Sequence, residues 1–167
     1  MSHASPPDQA RALPRPIAEF VPHRSGMCLL DTLIAADEHG LTARLTPRAD
    51  GLFVEAAGAS AQGIPAWVGV EWLAQAVAAW AGWHAAQRGQ APAVGFLVGC
   101  RKFVSHQAHF PIGESFEVRI RCDFVADNGL GQFSGEIAAA DEASAAALAE
   151  GRLTIYQPPH NDTAHAP

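Results

Sequence analysis

The sequence predicts an α+β fold in which a curved antiparallel sheet wraps one long central helix. Three observations predict it. The stretch GIPAWVGVEWLAQAVAAWAGWHA, residues 63–85, reads as one apolar helix carrying a single charge, Glu71. Its tryptophans at 67, 72, 80 and 83 are spread around the whole girth, so the helix must be enclosed rather than laid on a surface. Two stretches before it and four after it show the alternation of half-buried strands.

Taken in order, residues 1–15 form a polar, proline-rich lead that cannot bury enough surface to stay ordered. PHRSGMCLLDTLIAAD then turns through Ser25 and Gly26 into an apolar run from Cys28 to Ala36, and GLTARLT follows with alternating apolar positions. These two runs are expected to pair. DGLFVEAAGASAQG is small and glycine-rich, a loop leading to Pro65, whose fixed φ suits a first helical turn. The helix should run from about Pro65 to about Gln87, where RGQAP supplies a glycine stop and a later proline. Four strands follow in AVGFLVGCRKFVSH, ESFEVRIRCDFVA, GLGQFSGEIAAA and ASAAALAEGRLTIYQ, with a DNG hairpin turn between the second and third. Residues 158–167 form a polar tail. Residues 16–157 therefore make one domain, and a sheet rolled around one helix is the hotdog architecture. Such a sheet keeps an open edge, so dimerisation is the expected way to cover it.

Composition excludes several classes. The formal net charge of −6 offers no basic stripe to a phosphate backbone, so nucleic acid is not a partner. The prolines and charges of the lead break any signal-peptide core. The long helix is apolar enough to be weighed as a membrane span, yet its tryptophans are scattered rather than belted at the ends. Cys28, Cys100 and Cys122 are far apart, with no CxxC and no histidine at finger spacing, so no metal site is expected. A cytoplasmic protein with reduced thiols is the consistent reading.

Glu71, Gln75, Ala78 and Gly82 fall on one helical stripe. A carboxyl buried among Trp67, Val68 and Trp72 would resist ionisation, which suits a general acid, and Gln75 one turn on can fix its rotamer. The N–H groups of Ala66 and Trp67 at the helix start would favour negative charge on a substrate oxygen.

LPRPIAEFVPHRSGMCLLDTLI followed by GIPAWVGVEWLAQAVAAWAG resembles the β-hydroxyacyl-[acyl-carrier-protein] dehydratases, and more closely the dehydratase-like proteins of aryl polyene clusters. The likeness runs from residue 15 to 157 and includes the closing LTIYQP. It implies a dimer whose tunnel takes an acyl chain from an acyl carrier protein and eliminates water to give the trans-2-enoyl thioester. No other cofactor is implied, since the phosphopantetheine arm arrives with the substrate. Glu71 matches the family's acid by position. The family's base is a histidine in a His-Phe-Pro loop before the helix, contributed across the dimer interface, and counting back from Glu71 places that position near Ala57. The loop holds no histidine. The family's glycine at the helix start is Ala66 here. HFP at 109–111 copies the loop's letters, but lies after the helix where the family has a strand-connecting turn, so it is not read as catalytic; His106 reads as a solvated strand end. His23, in the PHR segment near the tunnel mouth, is the candidate base, and Arg24 reads as structural, paired with Asp31 or a carbonyl. Two alternatives stay open. One is a half-site or non-catalytic subunit completed by a paralogous hotdog chain, in a heterodimer rather than a homodimer; the other is an acyl thioesterase.

Overall fold

The computed structural model describes residues 12–24, 26–57, 61–140 and 146–158. The first strands are β1 (Arg15–Pro16), β2 (Thr32–Ala36), β3 (Gly40–Leu45), β4 (Glu55–Ala56) and β5 (Gln62–Pro65). A 3₁₀ turn, Ala66–Val68, leads into α1 (Gly69–Gln87). Five more strands follow: β6 (Phe96–Ser105), β7 (His109–Pro111), β8 (Phe116–Val125), β9 (Leu130–Ala139) and β10 (Ala149–Tyr156). Seven of the strands form one sheet in the order β1-β2-β3-β8-β9-β10-β6, antiparallel throughout; β4, β5 and β7 form a second, small sheet. The helix is wrapped as the sequence predicts, and the fold is the α+β hotdog.

Strand β8 shows why. Phe116, Val118 and Ile120 are buried against the helix, while Glu117, Arg119 and Arg121 alternate to the outer face. There Glu117 is bridged across the strands by Arg44 of β3 at 3.1 Å and along its own strand by Arg119 at 2.7 Å, and the cross-strand pair fixes register more than it stabilises. The predicted hairpin turn closes with Gly129 in the left-handed region, φ +88°, its N–H donating to the Ala126 carbonyl. The glycine stop of the helix is Gly89, φ +69°, with Gly89 and Gln90 N–H groups donating to the last-turn carbonyls of Ala86 and Ala85.

The core is aromatic under the first half of the helix. Trp72 is 2% exposed and lies 4.7 Å from Phe110 and 6.3 Å from Phe116 between ring centroids. Phe110 is the middle residue of the HFP stretch, which therefore packs the helix. Trp80 meets Phe133 edge-on at 5.6 Å and donates Nε1–H to the Asp37 carbonyl; Trp83 is partly buried.

Three expectations need correction. The strand expected from Cys28 is β2 and starts at Thr32, because residues 27–30 are drawn over the helix by hydrogen bonds to Gln75. The predicted loop before the helix contains β4 and β5, and the predicted turn at 109–111 is β7, since these three pair with one another. Trp67 is not enclosed: it is 62% exposed. Arg24 takes the second of the two partners expected for it, donating to the carbonyls of Val21 and His23, while the Asp31 carboxylate accepts the Thr46 N–H. The polar lead and tail lie largely outside the described residues. No described helix is long and apolar enough to cross a membrane.

Candidate active site

A groove of about 570 Å³ runs along the side of α1 that the sheet leaves open. Glu71, Ala74, Ala78 and Ala81 line it from the helix, Phe133 and Ile155 from the sheet, and His23 from the segment before β2. At ~1.5 Å per residue the helical wall from Glu71 to His84 is ~20 Å long, enough for an extended acyl chain.

The predicted stripe divides in two. Gln75 lies roughly 40° to one side of Glu71 and Gly82 roughly 20°, and they are covered by Met27 and Leu29 and by Phe20 respectively. Ala74 and Ala81 lie to the other side and face the groove. The sequence pattern would have shown them at i+3 and i+10 from Glu71, had the covered side been known.

Gln75 is 1% exposed and spends its amide completely. Its Oε1 accepts the Leu29 N–H at 2.8 Å, and its Nε2 donates to the Met27 carbonyl at 2.7 Å and to Glu71 Oε1 at 2.9 Å. One side chain thus ties the 27–29 segment and the carboxylate to the same helical turn. Gln75→Leu should cost about 1–3 kcal/mol by orphaning buried backbone groups, read as a lower midpoint in urea denaturation.

Glu71 itself is 36% exposed in the single chain and so is not buried among tryptophans as expected, because Trp67 turns outward onto Phe53 and leaves it open to the groove. His23 stands opposite, its Nε2 3.9 Å from Glu71 Oε1. That distance is too long for a hydrogen bond, so each group can still face a third partner in the groove. His23 Nδ1 is buried with no hydrogen-bond partner among the described residues, so Nε2 is the nitrogen offered to a substrate.

Ala66 and Trp67 do not join this group. The Ala66 N–H is spent on the Ala108 carbonyl at 2.9 Å, where β7 crosses the helix entry, and the Trp67 side chain does not line the groove. His106 is exposed at a strand end. His109 pairs through Nε2 with Glu55 Oε1 at 2.8 Å on the small sheet. Ala57 lies beside it: a side chain built on Gly63 would meet the β-carbons of both, at 2.9 Å for His109 and 3.2 Å for Ala57, so these two are at most about 6 Å apart.

His84 closes the far end of the groove, edge-on to Trp80 and Trp83. Burial, then the Arg88 charge, hold its pKa below the ordinary histidine value against the opposing pull of Asp37 and Glu38. The native state therefore binds fewer protons than the unfolded chain near pH 6. Stability from this residue is fully present above about pH 6.5 and is lost as pH falls through the lowered native value. Replacing His84 with glutamine should flatten the dependence of the melting temperature on pH in that window. No cluster of described residues could hold a metal ion.

The family model described as ApeP-like, ApeP dehydratase, matches residues 15–166. Among solved structures, the chain is similar to the dehydratase heterocomplex ApeI:P from Xenorhabdus doucetiae, with 29% identity and a TM-score of 0.75 over 86% of this chain and 91% of that one. The PaaI protein of the E. coli phenylacetic acid degradation operon gives 14% identity and a TM-score of 0.53, over 75% of this chain and 77% of that one. Protein smu.793 of Streptococcus mutans, solved with acetyl CoA, gives 6% and 0.54 over 75% and 86%. These last two share the fold alone. No curated protein sequence matches.

Proposed function

The chain belongs to the ApeP-like dehydratases, and from that membership we propose that its groove eliminates water from a β-hydroxyacyl thioester with Glu71 as acid and His23 as base. The observation that carries this is the 3.9 Å approach of the two side chains, both on the wall of one groove. His23 Nε2 takes the α-proton, the electron pair it leaves becomes the new double bond, and the β-hydroxyl departs as water with a proton from Glu71. Gln75 donates to Oε1, which leaves Oε2 to carry that proton. The positive end of the α1 dipole favours charge building on the thioester oxygen. The substrate is carried by an acyl carrier protein, in aryl polyene or fatty acid synthesis, and the setting is cytoplasmic.

Edge strand β6 leaves Phe96, Leu97, Val98 and Val104 exposed, 41–61% each, along an unpaired flank. A second hotdog chain is the partner that covers it. The similarity to a heterocomplex supports a paralogous chain over a second copy.

A second reading, a subunit that only shapes a partner's tunnel, is favoured by Ala57, whose methyl group offers no base. The two readings separate in one assay. The purified chain, alone and with a paralogous hotdog chain, is given β-hydroxyacyl-carrier thioester, and loss of water is followed by mass. Turnover by the chain alone supports the catalytic reading; turnover only with the partner, unaffected by Glu71→Gln, supports the other.

A further inference from the structure

Two consecutive cations, Arg101 and Lys102, sit near the middle of the open edge strand β6, and the backbone is bent to bring both to one face. Arg101 is the register partner of Arg152, which alternates with buried Gly151 and Leu153 and so points to the outer face of the sheet. The next residue of a regular strand would point inward. Instead the register shifts between Glu150 and Arg152, so that Gly151 faces both Lys102 and Phe103. Lys102 takes this bulge in the left-handed region at φ +55°, a conformation that costs an L-residue stability. It is thereby turned to the outer face, where it lines one recess with Arg121 and Arg152, while Phe103 packs inward towards Gly69 of the helix.

Arg101, Lys102 and Arg152 are exposed and form no ion pair among the described residues. Arg101 and Arg152 face each other as like charges, which opposes the pairing of β6 with β10. The carboxylates of the recess do not relieve this: Glu136 is held by Arg119 at 3.0 Å, and Glu150 lies opposite Val104 and pairs with no cation among the described residues. Neither the strain nor the repulsion stabilises the single chain.

On either side of the two cations the edge is apolar, with Phe96, Leu97 and Val98 exposed at one end and Val104 at the other. Two copies of this chain pairing antiparallel along Phe96–Ser105 would meet at a two-fold axis close to Cys100 and Arg101. The cations of both copies come together there, on facing strands whose opposite and diagonal side chains are ~5–8 Å apart, inside the ~8 Å screening length of physiological salt. A facing strand with carboxylates at its centre meets the same apolar ends and turns the repulsion into attraction.

We infer that Arg101 and Lys102 select the partner of the β6 edge: they oppose a second copy of this chain and fit a hotdog edge strand that carries carboxylates at its centre. The inference rests on the reading above that a second hotdog chain covers β6.

The chain supplies its own probe. Arg101→Glu, which leaves the bulge residue in place, and Arg101→Glu combined with Lys102→Glu each turn one copy into an acidic-edged partner, and circular dichroism checks that both fold. Sedimentation equilibrium at low salt compares the parent alone, each variant alone, and parent mixed with variant. The mixture should dimerise at least ~10-fold more tightly than the parent or the variant alone, and the difference should shrink at about 1 M salt, where the screening length falls to ~3 Å. Cations that only keep the edge soluble would give no gain on mixing, since carboxylates keep it soluble equally well. A mixture that associates no more tightly than the parent alone, or a gain that is indifferent to salt, overturns the inference. Val98→Asp, at the apolar end of the same edge, separates that result from failure of the β6 reading. Association that Val98→Asp leaves intact does not run through β6 and overturns both; association that it breaks, with no gain on mixing, leaves the β6 reading standing and removes the charge selection.

Discussion

Replacing Glu71 by glutamine should lower dehydration in this chain's groove by about 10²- to 10⁴-fold while leaving the fold unchanged. Glutamine keeps the volume of the side chain and can still accept from Gln75 Nε2, which now meets Glu71 Oε1 at 2.9 Å. What it lacks is a transferable proton. Nothing else on the groove face of the helix can supply one near the catalytic end, where the next residues along the wall are Ala74, Val77 and Ala78. A loss in the rate of the bound complex with little change in apparent affinity would mark an interaction made in the transition state. A folded variant with the parent rate would remove Glu71 from the chemistry.

Gly82→Ala should be the most destabilising single-methyl change in the helix. A β-carbon at Gly82 would sit 1.8 Å from the Phe20 carbonyl oxygen and 2.7 Å from its carbon, and both are backbone atoms that cannot rotate away. The helix and the Phe20 segment would have to separate. That segment continues through Val21 into His23, so the same strain would draw the imidazole from Glu71. Overpacking of this kind costs about 3 kcal/mol or more when backbone must move. Gly99→Ala, whose β-carbon would meet nothing within 4 Å, is the matched comparison and should change the urea midpoint little. A Gly82→Ala variant as stable as Gly99→Ala would mean that helix and segment are not packed as described.

The helix, its glycine stop, the DNG turn and the long strands were legible because each rests on local chemistry: period, caps and turn residues. Phe116, Val118 and Ile120 announce their buried face by alternation alone. The short strands β4, β5 and β7 were not legible. They run two to four residues, carry prolines and small residues, and exist because they pair with one another, β5 with β7 across more than forty residues of sequence. The start of β2 was misplaced for a similar reason, since it depends on Gln75, forty-six residues away from Leu29.

For the site, helical spacing joined Glu71 to Gln75, and the PHR segment pointed to His23. Of the groove wall, Glu71 and Ala78 lay on the expected stripe, while Ala74 and Ala81 were missed, because a stripe read from sequence cannot reveal which of its flanks another segment will cover. Ala66 looked like an available N–H donor only while Ala108 was unknown, and Trp67 looked enclosed only because the count of tryptophans, rather than their partners, was visible. HFP at 109–111 was set aside for its position in the chain; the structure shows both its packing role through Phe110 and the pairing of His109 with Glu55.

The central claim is that one chain's groove holds both an acid and a base. It is tested most directly by the single-turnover rate of the isolated chain, with and without His23→Ala, on a β-hydroxyacyl-carrier thioester. The account predicts measurable loss of water by the isolated parent chain and a rate lower by ~10²- to 10⁴-fold in His23→Ala of unchanged circular dichroism. A folded His23→Ala chain that eliminates water as fast as the parent would contradict it.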